Sequence, residues 1–212
     1  FKADSGEFYI SFWSSAKEML DNFHSGKSLM VPPTRWVLAG LLKNPLATEL
    51  GDLSQNFSEE YRVPCMEMLD GIPILAVRSD TLPPASRTNV FLLGDTDSAK
   101  LLVDPSPNSE EEFQRLQNTI KDKEIDAIFL THHHPDHHQF SNQLALKLKI
   151  PIILSQDTQQ RLTEKHGESF FEDVELRNAS ENEKVTHWHG SVVRVYEIPG
   201  HDAGQLGLAP DS

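Results

Sequence analysis

One stretch of this chain limits its folding options more than any other. The apolar run Ile125-Asp126-Ala127-Ile128-Phe129-Leu130 ends abruptly in Thr131-His132-His133-His134-Pro135-Asp136-His137-His138. Five of the ten histidines fall within those last eight residues. A short apolar run followed by a polar break reads as a buried strand ending at the rim of a sheet. Imidazoles crowded at such an end are costly to arrange unless something binds them, and neutral imidazole is the commonest protein ligand for zinc. The fold must therefore bury the strand and leave its carboxyl end open to a cavity.

The rest of the chain supplies a setting for that strand. Ile74-Leu75-Ala76-Val77, Asn89-Val90-Phe91-Leu92-Leu93 and Lys100-Leu101-Leu102-Val103 are β-type runs separated by Pro, Gly and Asp, with Gly94-Asp95-Thr96-Asp97 as a hairpin turn. Ser109-x-x-Glu112 is a capping box ahead of a helix carrying Phe113, Leu116 and Ile120. After the cluster come a helix with Leu144, Ala145 and Leu148, a buried strand at 150–154, and a helix opening at Ser155. The segment 167–183 is polar and reads as a surface excursion. A strand over 192–196 leads to Pro199-Gly200-His201. Hairpins followed by βα alternation predict a layered α/β protein.

Upstream, residues 8–45 read as strand, helix, helix. Ser15-x-x-Glu18 caps the first helix, Thr34 caps the second after Pro32-Pro33, and Pro45 ends it. Residues from about 46 to 70 are polar and weakly patterned, as in a linker.

Composition narrows the function. A net charge of −13 opposes a sequence-independent grip on nucleic acid, which needs Lys and Arg to displace counterions. A small-molecule substrate is favoured over a polyanion. Cys65 is the only cysteine, which rules out an internal disulfide and fits a reducing compartment. No apolar run approaches the ~20 residues that cross a bilayer, and no signal peptide opens the chain. A soluble, cytoplasmic protein without membrane contact is expected.

His132 and His134 stand two apart at a strand end, so extended backbone turns both side chains to one side and His133 to the other. Asp136 and His137 follow Pro135, where the chain turns, and reach the same cavity from a second direction. His201 ends another strand, between Gly200 and Gly204, and would add a third imidazole. Asp104, just beyond the run 100–103, reads either as a capping or turn aspartate or as a carboxylate that orients a ligand imidazole or the site loop. His133 and His138 read as bystanders, His187 and His189 as a surface or half-buried face, and His24 and His166 as helix-end charges. Such a set suits two ions about 3.5–4 Å apart that share a hydroxide. Imidazole richness favours zinc, with manganese or iron as the other choices.

At these residues the chain resembles the metallo-β-lactamase superfamily of binuclear metal hydrolases. Thr131-His132-x-His134-x-Asp136-His137 is similar to its signature, Pro199-Gly200-His201-x-x-Gly204 to its next metal motif, and Leu101-Leu102-Val103-Asp104 with Thr88-Asn89-Val90 to its opening strands. The resemblance covers roughly 70–212. It implies an α/β fold of the αββα sandwich type, of which this chain holds the first half, preceded by a small α-rich segment. It also implies that His132, His134 and His201 hold the first metal. Asp136 and His137 would serve the second, with Asp136 orienting the nucleophile. The expected activity is attack by a metal-bound hydroxide on an ester, thioester or phosphodiester, as in glyoxalase II-like or endoribonuclease-like enzymes. A flavodiiron-type oxidoreductase, which would place a carboxylate where His134 stands, is the competing enzyme class. A catalytically inactive binding module is the non-enzymatic one.

The pattern departs from the family in two places. His138-Gln139-Phe140 stands where the family often has Gly-Gly. The family's bridging Asp and last His lie farther beyond the third motif than Asp211 stands from His201. Together with a start at Phe1 and a stop in a turn-like sequence, this leads us to expect a piece of a longer protein, inactive alone. Its uncovered sheet surface would invite self-association. The N-terminal segment resembles the last strand and helix of a Nudix-type domain on Phe12-Trp13-Ser14-Ser15, Gly26 and Leu29-x-x-Pro32-Pro33-Thr34, without the Nudix catalytic box. The expected domains are 1–46, a Nudix-like or helical module; 47–70, a linker; and 71–212, an incomplete metallo-β-lactamase-like domain.

Overall fold

A computed structural model describes residues 12–47 and 61–211. The chain divides into two units, Phe1–Asn56 and Phe57–Ser212. In the first, α1 (Ala16–His24) begins at Ser15, whose Oγ accepts from the Glu18 N–H at 3.1 Å. The Glu18 carboxylate accepts from Ser14 Oγ at 2.7 Å. Helix α2 (Pro32–Lys43) starts earlier than its sequence suggested: Val31 is the N-cap, with no side-chain cap bond, and Thr34 lies inside the helix. Prolines at the first two positions carry no N–H to cap and already hold a helical φ, so no capping side chain is needed. Leu20, Phe23 and Met30 form this unit's small core, with Leu38 packed against it. The strand expected over 8–13 falls largely outside the described residues, and residues 12–15 are not strand.

The second unit is built on a seven-stranded sheet in sequential order: β1 (Cys65–Leu69), β2 (Ile72–Arg78), β3 (Arg87–Leu93), β4 (Leu101–Val103), β5 (Ala127–Phe129), β6 (Ile152–Leu154) and β7 (Leu176–Asn178). The first four pair antiparallel through tight connections. From β4 onward pairing is parallel, because helices α3 (Glu110–Ile120), α5 (Ser141–Leu148) and α6 (Gln156–His166) carry the chain back between strands. A second sheet, β8 (Lys184–Trp188), β9 (Ser191–Glu197) and β10 (Leu206–Pro210), is antiparallel in the order β10-β9-β8.

Two cores follow from the two-residue period of a strand. Leu102, Ile128, Leu130, Ile152 and Leu154 point to the helices and pack with Phe113, Leu116, Leu144 and Leu162. The alternate residues Leu101, Val103, Ala127, Phe129 and Ile153 point the other way and meet Val195 and Leu206 of the second sheet. Central strands with both faces covered explain why β4, β5 and β6 read as unbroken apolar runs. The described residues thus give the layers helix, sheet and sheet, in agreement with the expected α/β sandwich and partial coverage of it.

Two edge strands escaped sequence reading. Residues 65–69, placed in the linker 47–70, pair with β2 through a bulge. Residues 176–178, placed in a surface excursion, pair with β6, and Phe171 just before them is buried. Both strands are short and half-covered, so backbone pairing specifies them rather than any side-chain rhythm. Ser109 caps α3 as expected, but Glu112 turns away from the capping box and accepts from the Arg78 N–H of β2 at 2.9 Å. No helix among the described residues is long and apolar enough to cross a membrane.

Candidate metal centre

The site lies beyond the carboxyl ends of the parallel strands β4 and β5, where backbone pairing stops and side chains fill the crevice. Asp104 follows β4 with φ 53°, a left-handed conformation that aspartate tolerates better than most residues. That turn aims its buried carboxylate at the loop following β5. Oδ1 accepts from the Thr131 N–H at 2.8 Å. Oδ2 accepts from Thr131 Oγ1 at 2.6 Å and from His137 Nδ1 at 2.8 Å. The single carboxylate holds three donors of the motif.

These bonds decide which ring nitrogens face the cavity. Thr131 Oγ1 spends its proton on Asp104, so at 2.9 Å it accepts from His132 Nδ1, leaving Nε2 as a bare lone pair. By the same logic His137 donates through Nδ1 and presents Nε2, 3.7 Å from Asp136 Oδ2. Helix α4 (Pro135–His138) carries Asp136 and His137, and Ser106 Oγ, fully buried, donates to the Asp136 carbonyl at 2.5 Å.

His132 Nε2 lies 3.1 Å from His134 Nδ1, and His201 Nε2 lies 3.0 Å from the same atom. Three ring nitrogens from two segments therefore converge, all within 4.8 Å of one another. Hydrogen bonding cannot satisfy this trio. His134 Nδ1 has either one proton or one lone pair to share between two neighbours, and His132 Nε2 has no proton to offer. A cation meets all three lone pairs at once, so the donor set fits a metal ion, with Asp136 and His137 alongside as a pair. Among the described residues Asp136 and His137 are not part of a group of three whose donor atoms all lie within 4.8 Å of one another.

The loop bearing His201 follows β9 and is fastened to the strand layer. Leu206 N–H donates to the Thr131 carbonyl at 2.9 Å, and Ser155 Oγ to the Gly204 carbonyl at 2.8 Å. A Cβ on Gly204 would stand 2.5 Å from Asp157 Oδ2, so only glycine fits there. Asp202, next to His201, is 6% exposed and accepts from the Gly204 N–H at 2.9 Å. The sequence did not single out Asp202, Ser106 or the role of Thr131. His133, read as a bystander, places its Nδ1 2.6 Å from Asp202 Oδ2. Strand β5 ends at Phe129, so sheet pairing no longer fixes where His133 points.

The charges suit cation binding. Burial, followed by the facing His137, pushes His132 down to about 4, so it stays neutral and able to coordinate at neutral pH. Burial and the neighbouring imidazoles His133 and His201 also lower His134. His137 moves the other way: burial pulls it down, but the hydrogen bond and charge of Asp104, with Asp136, raise it overall. Asp202 is driven up by burial, but the Gly204 N–H, His133 and Arg161 outweigh this and hold it below the usual carboxylate range.

His138 lies outside this network, 3% exposed, packed against His166 and Phe170, with no hydrogen-bond partner for either ring nitrogen among the described residues. Burial, then the nearby His166 and Lys165, push it down to about 3. Between that value and the ~6.5 of an unfolded histidine, the unfolded chain binds more protons here. Stability should therefore rise with pH across the window, be complete above it, and be lost as pH falls through it. In chelator, urea midpoints measured from pH 3 to 7 should fall less steeply in His138→Phe than in the parent. An unchanged slope would show that this residue is not buried neutral. His187 lies half-buried in β8, while His24, His166 and His189 are exposed, and none of the four belongs to the trio.

A two-sheet α/β sandwich with three imidazoles and an Asp-His pair at the strand ends defines the metallo-β-lactamase class of fold. The sequence model of the metallo-beta-lactamase superfamily matches residues 83–209, and the chain belongs to that superfamily. A hydroxyacylglutathione hydrolase from Wigglesworthia glossinidia brevipalpis is 30% identical over 124 residues, covering 56% of this chain and 41% of that protein. The chain thus spans less than half the length of this curated relative. Among solved structures, a flavoprotein from Thermotoga maritima is similar at TM-score 0.54 and 17% identity, over 71% of this chain and 40% of its own. A metallo-beta-lactamase from Pontibacter korlensis is similar at TM-score 0.53 and 15% identity, over 70% and 67%. These two likenesses concern the fold alone.

Proposed function

We propose that the chain carries the first-metal half of a hydrolase active site that acts on a small acyl thioester. The convergence of His132 Nε2, His134 Nδ1 and His201 Nε2 carries this reading. Zinc is the preferred ion, with manganese or iron as alternatives, and the whole protein would hold two. When bound, such ions lower the pKa of water towards neutrality and supply a hydroxide nucleophile. The chain's own residues do the rest. Asp104 and Thr131 keep His132 and His137 in the tautomers that expose Nε2, and Ser106 holds the turn on which Asp136 rides. Asp136 accepts a hydrogen bond from the attacking water and orients it, while serving the second ion with His137.

The hydroxyacylglutathione hydrolase relative favours a thioester, and the charge of −13 disfavours a polyanionic substrate. Histidine at 134 counts against the flavodiiron alternative. Residues 1–46 form a separate module in this reading, Nudix-like in origin, and a linker joins it to the hydrolase domain. The protein would work in the cytoplasm. The test is hydrolysis of a small acyl thioester and of a phosphodiester by the whole protein containing this chain, loaded in turn with zinc, manganese and iron. Thioester turnover that disappears in Asp136→Asn is expected. Cleavage of the phosphodiester alone would overturn the substrate, and no hydrolysis with any ion would overturn the hydrolase.

A further inference from the structure

The two motifs leave some positions unspecified, and two of these meet in space. His133 is the free position between the first two imidazoles, and Asp202 is the free position after the third. His133 Nδ1 stands 2.6 Å from Asp202 Oδ2, with the carboxylate side chain 3% exposed. The remaining Asp202 oxygen accepts from the Gly204 N–H, which ties the carboxylate across its own turn. A buried carboxylate needs a positive or donating partner. Arg161, the cation nearby, is engaged with Asp157 at 2.7 Å, so the side chain against this carboxylate is the His133 imidazole, paired by close approach rather than by an aligned hydrogen bond.

The consequence falls on His201. Its ring is exposed, with His134 Nδ1 at 3.0 Å as its polar contact, whereas His132 is buried and fixed by Thr131. The backbone ties of the loop lie at Gly204 and Leu206, beyond His201. A tie at Asp202 acts one residue from the imidazole and joins its loop to the segment that carries the other two. We propose that His133 and Asp202 form a positioning clamp that holds the His201 imidazole against His132 and His134, an inference that rests on the trio being the metal-binding set.

Cobalt(II) binding to the 212-residue chain tests this, read by affinity, stoichiometry and the ligand-field spectrum. His133→Phe removes the imidazole nitrogen that stands against Asp202, and Asp202→Asn keeps the shape and the Gly204 acceptor while removing the charge. Each should weaken cobalt binding about tenfold, as loss of a partner that orients a ligand does. The double variant should also lose about tenfold rather than a hundredfold, because two halves of one device are not additive. His133→Asn, which restores a polar nitrogen near the Nδ1 position, should recover most of the affinity and the parent spectrum. Thermal unfolding in chelator shows whether each variant folds. If Asp202→Asn does not, the His133 pair decides the matter alone: loss without rescue overturns the clamp. Losses that multiply, unchanged affinity in the single variants, or one fewer ion bound in Asp202→Asn would also overturn it, the last by making Asp202 a ligand. His132→Ala separates the premises. If it binds cobalt like the parent, the metal reading fails and the clamp with it. If it loses cobalt while the clamp variants behave additively, only the clamp fails.

Discussion

Replacing Asp104 with alanine should cost about 3–5 kcal/mol of unfolding free energy, the range for removing one partner from a buried charged network. The carboxylate is 5% exposed and accepts from Thr131 N–H, Thr131 Oγ1 and His137 Nδ1. Alanine leaves all three donors facing a gap, and it must also adopt φ 53°, where a residue without a local polar side chain is strained. Asparagine separates the structural role from the chemical one. It keeps the shape and tolerates the backbone, but where Oδ2 accepts two bonds it presents an amide N–H group. The chain should fold, and first-metal affinity should drop by roughly 10–100-fold because the His132 and His137 tautomers are no longer fixed. The raised pKa of His137 should fall as well. In the parent that raised value contributes stability at pH below the unfolded ~6.5, lost as pH climbs through the folded value. Asp104→Asn should lack this acid-side gain. Urea unfolding and zinc titration of both variants provide the measurements. Full zinc affinity in Asp104→Asn would refute the tautomer account.

His132→Ala should have the largest effect on metal. His132 is 2% exposed, its Nε2 lone pair is fixed by Thr131, and that lone pair lies 3.1 Å from His134 Nδ1. Losing a ligand should weaken binding by more than the roughly 10–100-fold that losing an orienting partner costs. Calorimetric titration with zinc measures that loss directly. A second readout is independent of heat: an ion that binds only the folded chain raises its unfolding temperature. That rise should be present in the parent and in His187→Ala, and absent in His132→Ala. A zinc-dependent rise that survives in His132→Ala would place the ion elsewhere.

Much of the fold was legible because it is written locally. The apolar runs at 101–103, 127–129 and 152–154 are buried on both faces, which is why no polar alternation interrupts them. Ser15, Ser109 and Ser155 mark helix starts because each hydroxyl meets an amide within its own first turn. The misses have physical causes too. Strands β1 and β7 are specified by backbone pairing with β2 and β6, and nothing in three or five half-covered residues announces that pairing. Thr34 lost its capping role to two prolines that already fix the helical backbone.

The sequence by itself pointed to the residues that the fold brings together: His132 and His134 after β5 and His201 after β9, with Asp136 and His137 on the short helix α4. It could do so because strand ends and turns are short-range events, each legible within its own segment. Only the tertiary structure decided how those donors are held. Asp104 reaches both Thr131 and His137 because β4 lies beside β5, and Asp202 reaches His133 because β10 brings its loop to Thr131. His138, in the same run of imidazoles, is instead buried against α6 and Phe170, its ring nitrogens without a hydrogen-bond partner among the described residues. Neighbours in sequence were sent to different fates because packing across layers, not spacing along the chain, sets what each ring touches.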